Sequence, residues 1–534
     1  MSQSVVKTFN TVGPCVAEEH YLLPVLERQP GINKLIEDKN YFVLHAPRQS
    51  GKTTFLRFYA DRINAKERMY ALTCSLATLR TLEDSEVAMT RMAAQINRAL
   101  KISGVKAFKD LAFPDDSLPQ SNPSVKIRKF LNYLSVNLDK ELVIFFDEAD
   151  CLEPSPLVTF LAQVRDGYNE RHRNPKSKFP RSMALVGMRD IRDYLSQVRP
   201  DNESKGLASP FNIKKDALTL PNFTPEEIGI LYRQHTEASG QIFEDGAIEM
   251  AWYWSEGQPW LVNALAYEAV VSILNNDFSK AVTAEIIDAA AKSIILKQPV
   301  HIDSLMKRLE EPRVRRVMDA VIAGAQGFDE TTISDEDIQY ILDLGLLKNE
   351  NEVYKPSNPI YSEVIVRKLT KRMEQRVPLD YVRRWVDGQT LDMTGLLKAF
   401  QDYWRENSEM LGAPDRLTET TPHLVSFTFI QKTLNGYVDE IKREYALGRK
   451  RVDLYARYQG VSYPVELKTS KPKHKFTDKV REESLEQLYS YMNKCGSKIG
   501  WLVVFDLDWS KNIADKKTWE TIQYKGSTIH IVGC

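Results

Sequence analysis

The sequence has 534 residues, which at roughly 150 per domain makes room for about three or four domains and excludes a single small binding module. At 43% hydrophobic and 27% charged residues, with 24 Gly and 25 Pro, the composition is not that of a collagenous, mucin-like or disordered chain. Lys+Arg 72 balance Asp+Glu 72, so any surface for a polyanion must come from uneven placement of charge.

The five cysteines, Cys15, Cys74, Cys151, Cys495 and Cys534, are dispersed and form no C-x-x-C pair, which argues against a disulfide framework or a zinc knuckle. The opening MSQSVVKTFN has no apolar stretch of signal-peptide length, and no run of about 18 apolar residues follows. The expectation is a cytoplasmic protein with no membrane partner.

In chain order, residues 1–225 alternate apolar β-rich runs (YFVLHA at 41–46, MYALTCSL at 69–76, ELVIFF at 141–146, SMALVGM at 182–188) with helical patterns. This predicts an α/β core with a parallel sheet covered on both faces. Thr224-Pro225-Glu226-Glu227 reads as an N-cap, a first-turn proline and an acidic first turn, opening a helical subdomain over 226–300. Residues 301–378 read as a winged helix, with helices at 315–325 and 334–348 and a hairpin at 349–358. Such a module serves either as a DNA binder or as a protein-facing spacer. A helical linker spans 379–414. The last region, 415–534, offers a helix at 427–436, strands RVDLYARY and SYPVELKT around Gln459-Gly460, a helix EESLEQLYSYM and a strand GWLVVFDLD.

Strand 41–46 runs into Pro47-Arg48-Gln49-Ser50-Gly51-Lys52-Thr53-Thr54 and then into a helical pattern. Amides of such a turn face phosphate oxygens, and the helix N-terminus adds partial positive charge. Lys52 is expected to reach the β- and γ-phosphates and Thr53 to ligate Mg2+. Ala46 stands where the usual first glycine would, a small departure because Gly51 keeps the position of closest approach. ELVIFFDEAD ends a buried strand in two carboxylates: Asp147 for the magnesium side and Glu148 to orient the attacking water.

Through these segments, residues 1–375 resemble the STAND group of P-loop ATPases, particularly its archaeal and bacterial branch, related to AAA+ proteins. VGMRD at 186–190 resembles that group's sensor strand, with Arg189 in the place of a γ-phosphate sensor. Gly257-Gln258-Pro259 resembles its G-x-P motif facing the nucleotide, and FNTVGPC with EEHYLL its adenine-side entry. The resemblance implies a switch that closes around ATP, hydrolyses it slowly and reopens.

In the last region, alternation on a hairpin puts Glu466 and Lys468 on one face and brings Asp453 on the facing strand toward them. Two carboxylates beside an ammonium suit a hard cation, Mg2+ or Mn2+, and phosphodiester cleavage. The pattern resembles the PD-(D/E)xK nuclease family, with Gln487 and Tyr491 matching the Q-x-x-x-Y helix of RecB-like members. Val452 stands where many members have proline. A further helix-borne carboxylate is usual in the family; Glu419 is the candidate, with Glu440 and Glu444 behind it. From 441 to 481 there are about twelve Lys/Arg against four Asp/Glu, the footprint of a phosphate-binding surface. Arg449, Lys450, Arg451, Lys471, Lys473 and Lys475 bracket the site as candidate nucleic-acid contacts.

The resulting expectation is an ATP-regulated, metal-dependent DNA nuclease, endo- or exo-acting, in a setting such as defence against foreign DNA, mobile-element function or repair. Two alternatives stand beside it. One is an ATP-gated regulator that grips DNA without cutting; the other is a signalling scaffold, a homo-oligomer formed on nucleotide exchange.

Overall fold

The computed structural model describes residues 6–23, 28–114, 122–174, 176–188, 214–322, 333–351, 353–374, 385–386, 388, 390–411, 420–434, 437–447, 450–470, 476–508 and 513–534. They pack into two compact units: Met1–Leu305 with Ser334–Ser362, and Met306–Ile333 with Glu363–Cys534.

The first unit is built on strands β1 (Tyr41–His45), β2 (Met69–Ser75), β3 (Glu141–Asp147), β4 (Ser182–Gly187) and β5 (Lys214–Thr219). They form one parallel sheet in the order β2-β3-β4-β1-β5; a parallel sheet covered on both faces is what the sequence predicted. The strands read as unbroken apolar runs because both faces are covered. Tyr41, Val43, Ile144, Phe146, Met183 and Leu185 enter one core, and their neighbours Phe42, Leu44, Val143, Phe145, Ala184 and Val186 enter the other. That division is the period-2 alternation of a strand.

The strand pattern ends where Thr224 caps the helix Pro225–Ser239, as the sequence predicted, and the structure adds a full capping box with Glu227. The helices Asp245–Ser255, Pro259–Tyr267 and Ala284–Lys297 follow. The expected helix over 334–348 is shorter: it covers Asp335–Asp343, because Gly345 takes a left-handed φ of 74°. Leu347–Glu350 then forms β6, paired with β7 (Val353–Pro356).

The second unit carries a mixed six-stranded sheet made of β8 (Glu440–Leu447), β9 (Lys450–Tyr458), β10 (Val461–Ser470), β11 (Ile499–Asp506), β12 (Thr518–Tyr524) and β13 (Ser527–Gly533). Its order is β12-β13-β11-β10-β9-β8, so β10 is a central strand. The helix Asp478–Cys495 sits on this sheet through Leu485, Leu488 and Met492, packed with Leu502 and Ile529. Glu440 and Glu444, considered above as helix-borne, lie on strand β8; the helix expected at 427–436 covers Thr420–Leu434 instead. All five cysteines are free, and among the described residues no helix is long and apolar enough to cross a membrane.

Candidate functional site

In the first unit, β1 delivers the chain into a turn before the helix Lys52–Ala65. Gln49 (φ 58°) and Gly51 (φ 86°) take left-handed conformations there, the backbone of an anion-binding nest at a helix N-terminus. Ser50 Oγ donates to the carbonyl of Pro47 at 2.8 Å, and Lys52 Nζ donates to the carbonyls of Ala46 (2.6 Å) and Pro47 (2.7 Å). The loop therefore wraps around its own ammonium. Burial pushes Lys52 down to about 8, while the carboxylates of Asp150, Asp147 and Glu148 pull the other way.

Neighbouring segments brace the loop. The backbone N–H of Cys15 donates to Thr54 Oγ1 at 3.1 Å, and Arg48 reaches Ser304 Oγ at 3.4 Å. The amide of Gln258, in the Gly257-Gln258-Pro259 segment, donates to the carbonyl of Gln49 at 3.4 Å. Gly257 has to be glycine: its φ is 73°, and a Cβ would stand 1.9 Å from the carbonyl oxygen of Phe223. Gly345 lies against the Pro47 ring, where a Cβ would come within 2.6 Å, so the turn before β6 rests on the phosphate loop.

β3 brings the carboxylates to the same place. Thr53 Oγ1 donates to Asp147 Oδ2 at 2.6 Å, and Asp147 Oδ1 accepts the backbone N–H of Glu148 at 3.0 Å. Glu148 itself is left-handed (φ 57°), an uncommon backbone for this residue type. Ser75 Oγ donates to Glu148 Oε2 at 3.0 Å. A hydroxyl and a carboxylate side by side are the oxygen ligands Mg2+ prefers, so Thr53 and Asp147 fit that ion. The cavity over the loop measures about 370 Å³; Arg48, Gln49, Ser50, Gly51, Lys52, Thr53, Thr54, Asp147, Glu148 and Pro259 all line it. Arg189 lies outside the described residues.

Sequence reasoning missed three residues of this site. Ser75 pairs in register with Asp147, and its signal was a small polar residue ending an apolar strand. Asp150 also lines the cavity and accepts the backbone N–H of Met188 at 3.1 Å. Arg80, likewise in the wall, donates to Cys151 Sγ at 2.9 Å; nothing in its sequence surroundings marks it.

The second unit holds the other centre. β9 and β10 turn at Gln459 (φ 47°) and Gly460 (φ 79°), the two-residue turn whose twist suits a hairpin. The pairing of Leu454 with Val465 makes Asp453 and Glu466 the next opposed pair. Asp453 Oδ2 accepts the backbone N–H of Leu467 at 2.8 Å, and Lys468 Nζ donates to Glu466 Oε1 at 2.6 Å. Lys468 also approaches Gln487 Oε1 at 3.5 Å, and Gln487 Nε2 donates to the Tyr491 hydroxyl at 2.9 Å. The five residues named from sequence thus converge.

Glu466 is fully buried, and its Oε2 has no partner. Burial, reinforced by the charge of Asp453, pushes its carboxyl up to about 8. An unpartnered buried carboxylate oxygen beside a second carboxylate is costly, and a divalent cation offsets that cost, so the pair fits Mg2+ or Mn2+. Among the described residues no group of three His, Cys, Asp or Glu side chains is placed to hold a metal; the rest of such a shell would be water and phosphate oxygen, as Mg2+ commonly has. Lys450 and Arg451 open β9. Arg449, Lys471, Lys473, Lys475 and Glu419 lie outside the described residues.

The raised Glu466 carboxyl has a stability consequence. The fold favours its protonated form, so its contribution is complete below an unfolded value of 4.5 and is lost as pH rises through about 8. In chelator, the melting temperature of the second unit is expected to fall between pH 5 and pH 8 more steeply than in Glu466→Gln. Saturating Mg2+ is expected to restore it, and thermal melts across pH with both proteins check this.

Residues 24–366 match the family described as the AAA-like domain. Among solved structures, a Walker-type ATPase of Pyrococcus abyssi superposes with a TM-score of 0.46 at 16% identity, covering 67% of this chain and 99% of that one. The ORC2 protein of Aeropyrum pernix, in ADPNP-ADP complexes, gives 0.39 at 13% identity over 66% of this chain and 97% of its own. The RuvB Holliday junction branch migration motor of Thermotoga maritima gives 0.33 at 15% identity, over 66% and 96%. No curated protein matches the chain.

Proposed function

The chain belongs to the AAA-like domain family, and from that premise we propose that it binds and hydrolyses ATP to control a metal-dependent DNA nuclease centre in its last region. In the ATPase half, Lys52 neutralises the β- and γ-phosphates, Thr53 and Asp147 hold Mg2+, and Glu148, steadied by Ser75, orients the attacking water. Magnesium, when bound, draws charge from the phosphoryl oxygens. Contact of Gly345 with Pro47 gives the phosphate loop a route to the hairpin β6–β7, so that nucleotide state can be read outside the cavity. Lys52→Ala is expected to lower ATP turnover at least about a hundredfold; a variant as fast as wild type in a phosphate-release assay refutes the assignment.

The observation supporting the nuclease half is the unpartnered, buried Oε2 of Glu466, with Asp453 and Lys468 around it. Asp453 and Glu466 hold the cation, Lys468 stands beside the water it activates, and Gln487 with Tyr491 holds Lys468 in place. The divalent cation supplies an activated water and support for the leaving oxygen. Lys450 and Arg451, with Arg449, Lys471, Lys473 and Lys475, bring the polyanion to the site through phosphate contacts that carry little base information. Defence against foreign DNA, mobile-element function or repair is the setting such an activity fits. Incubation with supercoiled, linear and single-stranded DNA, in Mg2+, Mn2+ or chelator, tests it: strand breaks that need the metal support the reading. Salt-sensitive binding without breaks replaces it with a DNA-gripping regulator.

A further inference from the structure

Among the described residues, the cationic side chains in the wall of the nucleotide cavity are Arg28, Arg48, Lys52 and Arg80. Arg28 Nε stands 3.4 Å from Glu227 Oε1, Lys52 donates to two carbonyls of its own loop, and Arg48 reaches Ser304 on the helix Val300–Met306. Arg80 is held differently. Among the described residues its guanidinium has one partner, Cys151 Sγ at 2.9 Å, and the residue is exposed. Burial holds the Cys151 thiol above its usual range, so the sulfur is neutral near pH 7. A neutral thiol is a weak acceptor, and it takes up one of five N–H donors.

The local chain path brings that guanidinium to the end of the cavity where the carboxylates stand. β2 ends at Ser75, whose Oγ donates to Glu148 and accepts the backbone N–H of Ala77 at 3.3 Å. The helical turn Ala77–Leu79 then carries the chain to Arg80. From the other side, Ala149–Cys151 is a single turn that starts at Glu148, with the N–H of Cys151 donating to the Glu148 carbonyl at 3.0 Å. The two segments therefore meet twice, Ser75 on Glu148 and Arg80 on Cys151. One of these contacts steadies a carboxylate; the other parks a cation beside it.

We propose that Arg80 reads the γ-phosphate: with a nucleoside triphosphate bound it leaves Cys151 and donates to the γ-phosphate oxygens, and with a diphosphate it stays on the thiol. The inference rests on the nucleotide-binding reading above and names the residue by which that site tells ATP from ADP. A bond from arginine to phosphate is charge-assisted and matches the guanidinium fork, so it outweighs a bond to a neutral sulfur. ADP has no oxygen at that position. A switch needs a difference in affinity between its two ligands, and this side chain supplies one without touching the loop that binds both.

The test is isothermal titration of the full chain in Mg2+ with ADP and with β,γ-imido-ATP, which resists hydrolysis, using wild type, Arg80→Ala, Arg80→Lys and Cys151→Ala. Arg80→Ala is expected to bind the triphosphate about tenfold or more weakly and ADP within about twofold of wild type, the loss of one charge-assisted hydrogen bond. Arg80→Lys, which keeps the charge and loses the fork, is expected to fall between them. Cys151→Ala removes only the resting partner and is expected to keep the wild-type ratio of the two affinities. Both affinities come from one preparation, so a lower folded fraction does not move their ratio. Equal weakening of both nucleotides by Arg80→Ala, no change in either, or the same fall in ratio in Cys151→Ala overturns the inference and leaves the nucleotide site standing. Wild-type protein that binds neither nucleotide overturns the nucleotide reading itself, and this inference with it.

Discussion

Glu148→Gln is expected to slow ATP hydrolysis by about a hundredfold or more while leaving ATP affinity within a few-fold of wild type. The substitution keeps the shape of the side chain and an oxygen for Ser75 Oγ, whose bond to Glu148 is 3.0 Å long, but removes the charge that, in the proposed function, turns a water toward phosphorus. In the same proposal binding depends instead on the loop and on Lys52, Thr53 and Asp147, which the change does not touch. Single-turnover hydrolysis beside equilibrium binding separates the two effects. A proportional loss of both would mean that Glu148 holds the loop together and does not act on water.

Glu466→Gln and Lys468→Ala are expected to lower DNA cleavage by about a hundredfold to a thousandfold, with ATP turnover unchanged. Glu466→Gln fits the same buried space and can still accept a bond from Lys468, but it presents an amide where the cation needs a carboxylate. Lys468→Ala removes the ammonium 2.6 Å from Glu466 Oε1 and leaves a buried carboxylate group unpaired, so it is also expected to lower stability. Glu466→Gln is therefore the cleaner variant. Cleavage by both variants at the wild-type rate removes the nuclease reading.

Much of both centres was legible because each depends on short-range geometry. A strand running into a glycine turn and a helix positions Lys52 and Thr53 locally, and a two-residue hairpin turn fixes Asp453 opposite Glu466. The core strands were legible because burial on both faces makes them continuously apolar. The edge strands were not: β12 is exposed or half-exposed along its whole length, and β8, EIKREYAL, carries charge at a spacing that also suits a helix. Ser75, Asp150 and Arg80 escaped for a different reason. Each bonds a partner distant in sequence, and that relation does not appear in a linear pattern.

Nucleotide control of cutting is tested most directly by the nicking rate of supercoiled plasmid in Mg2+, measured with ATP, with ADP and with no nucleotide. The expected result is a rate that changes at least several-fold with the nucleotide and loses that dependence in Lys52→Ala. Nicking at one rate under all three conditions, or no nicking in any of them, contradicts it.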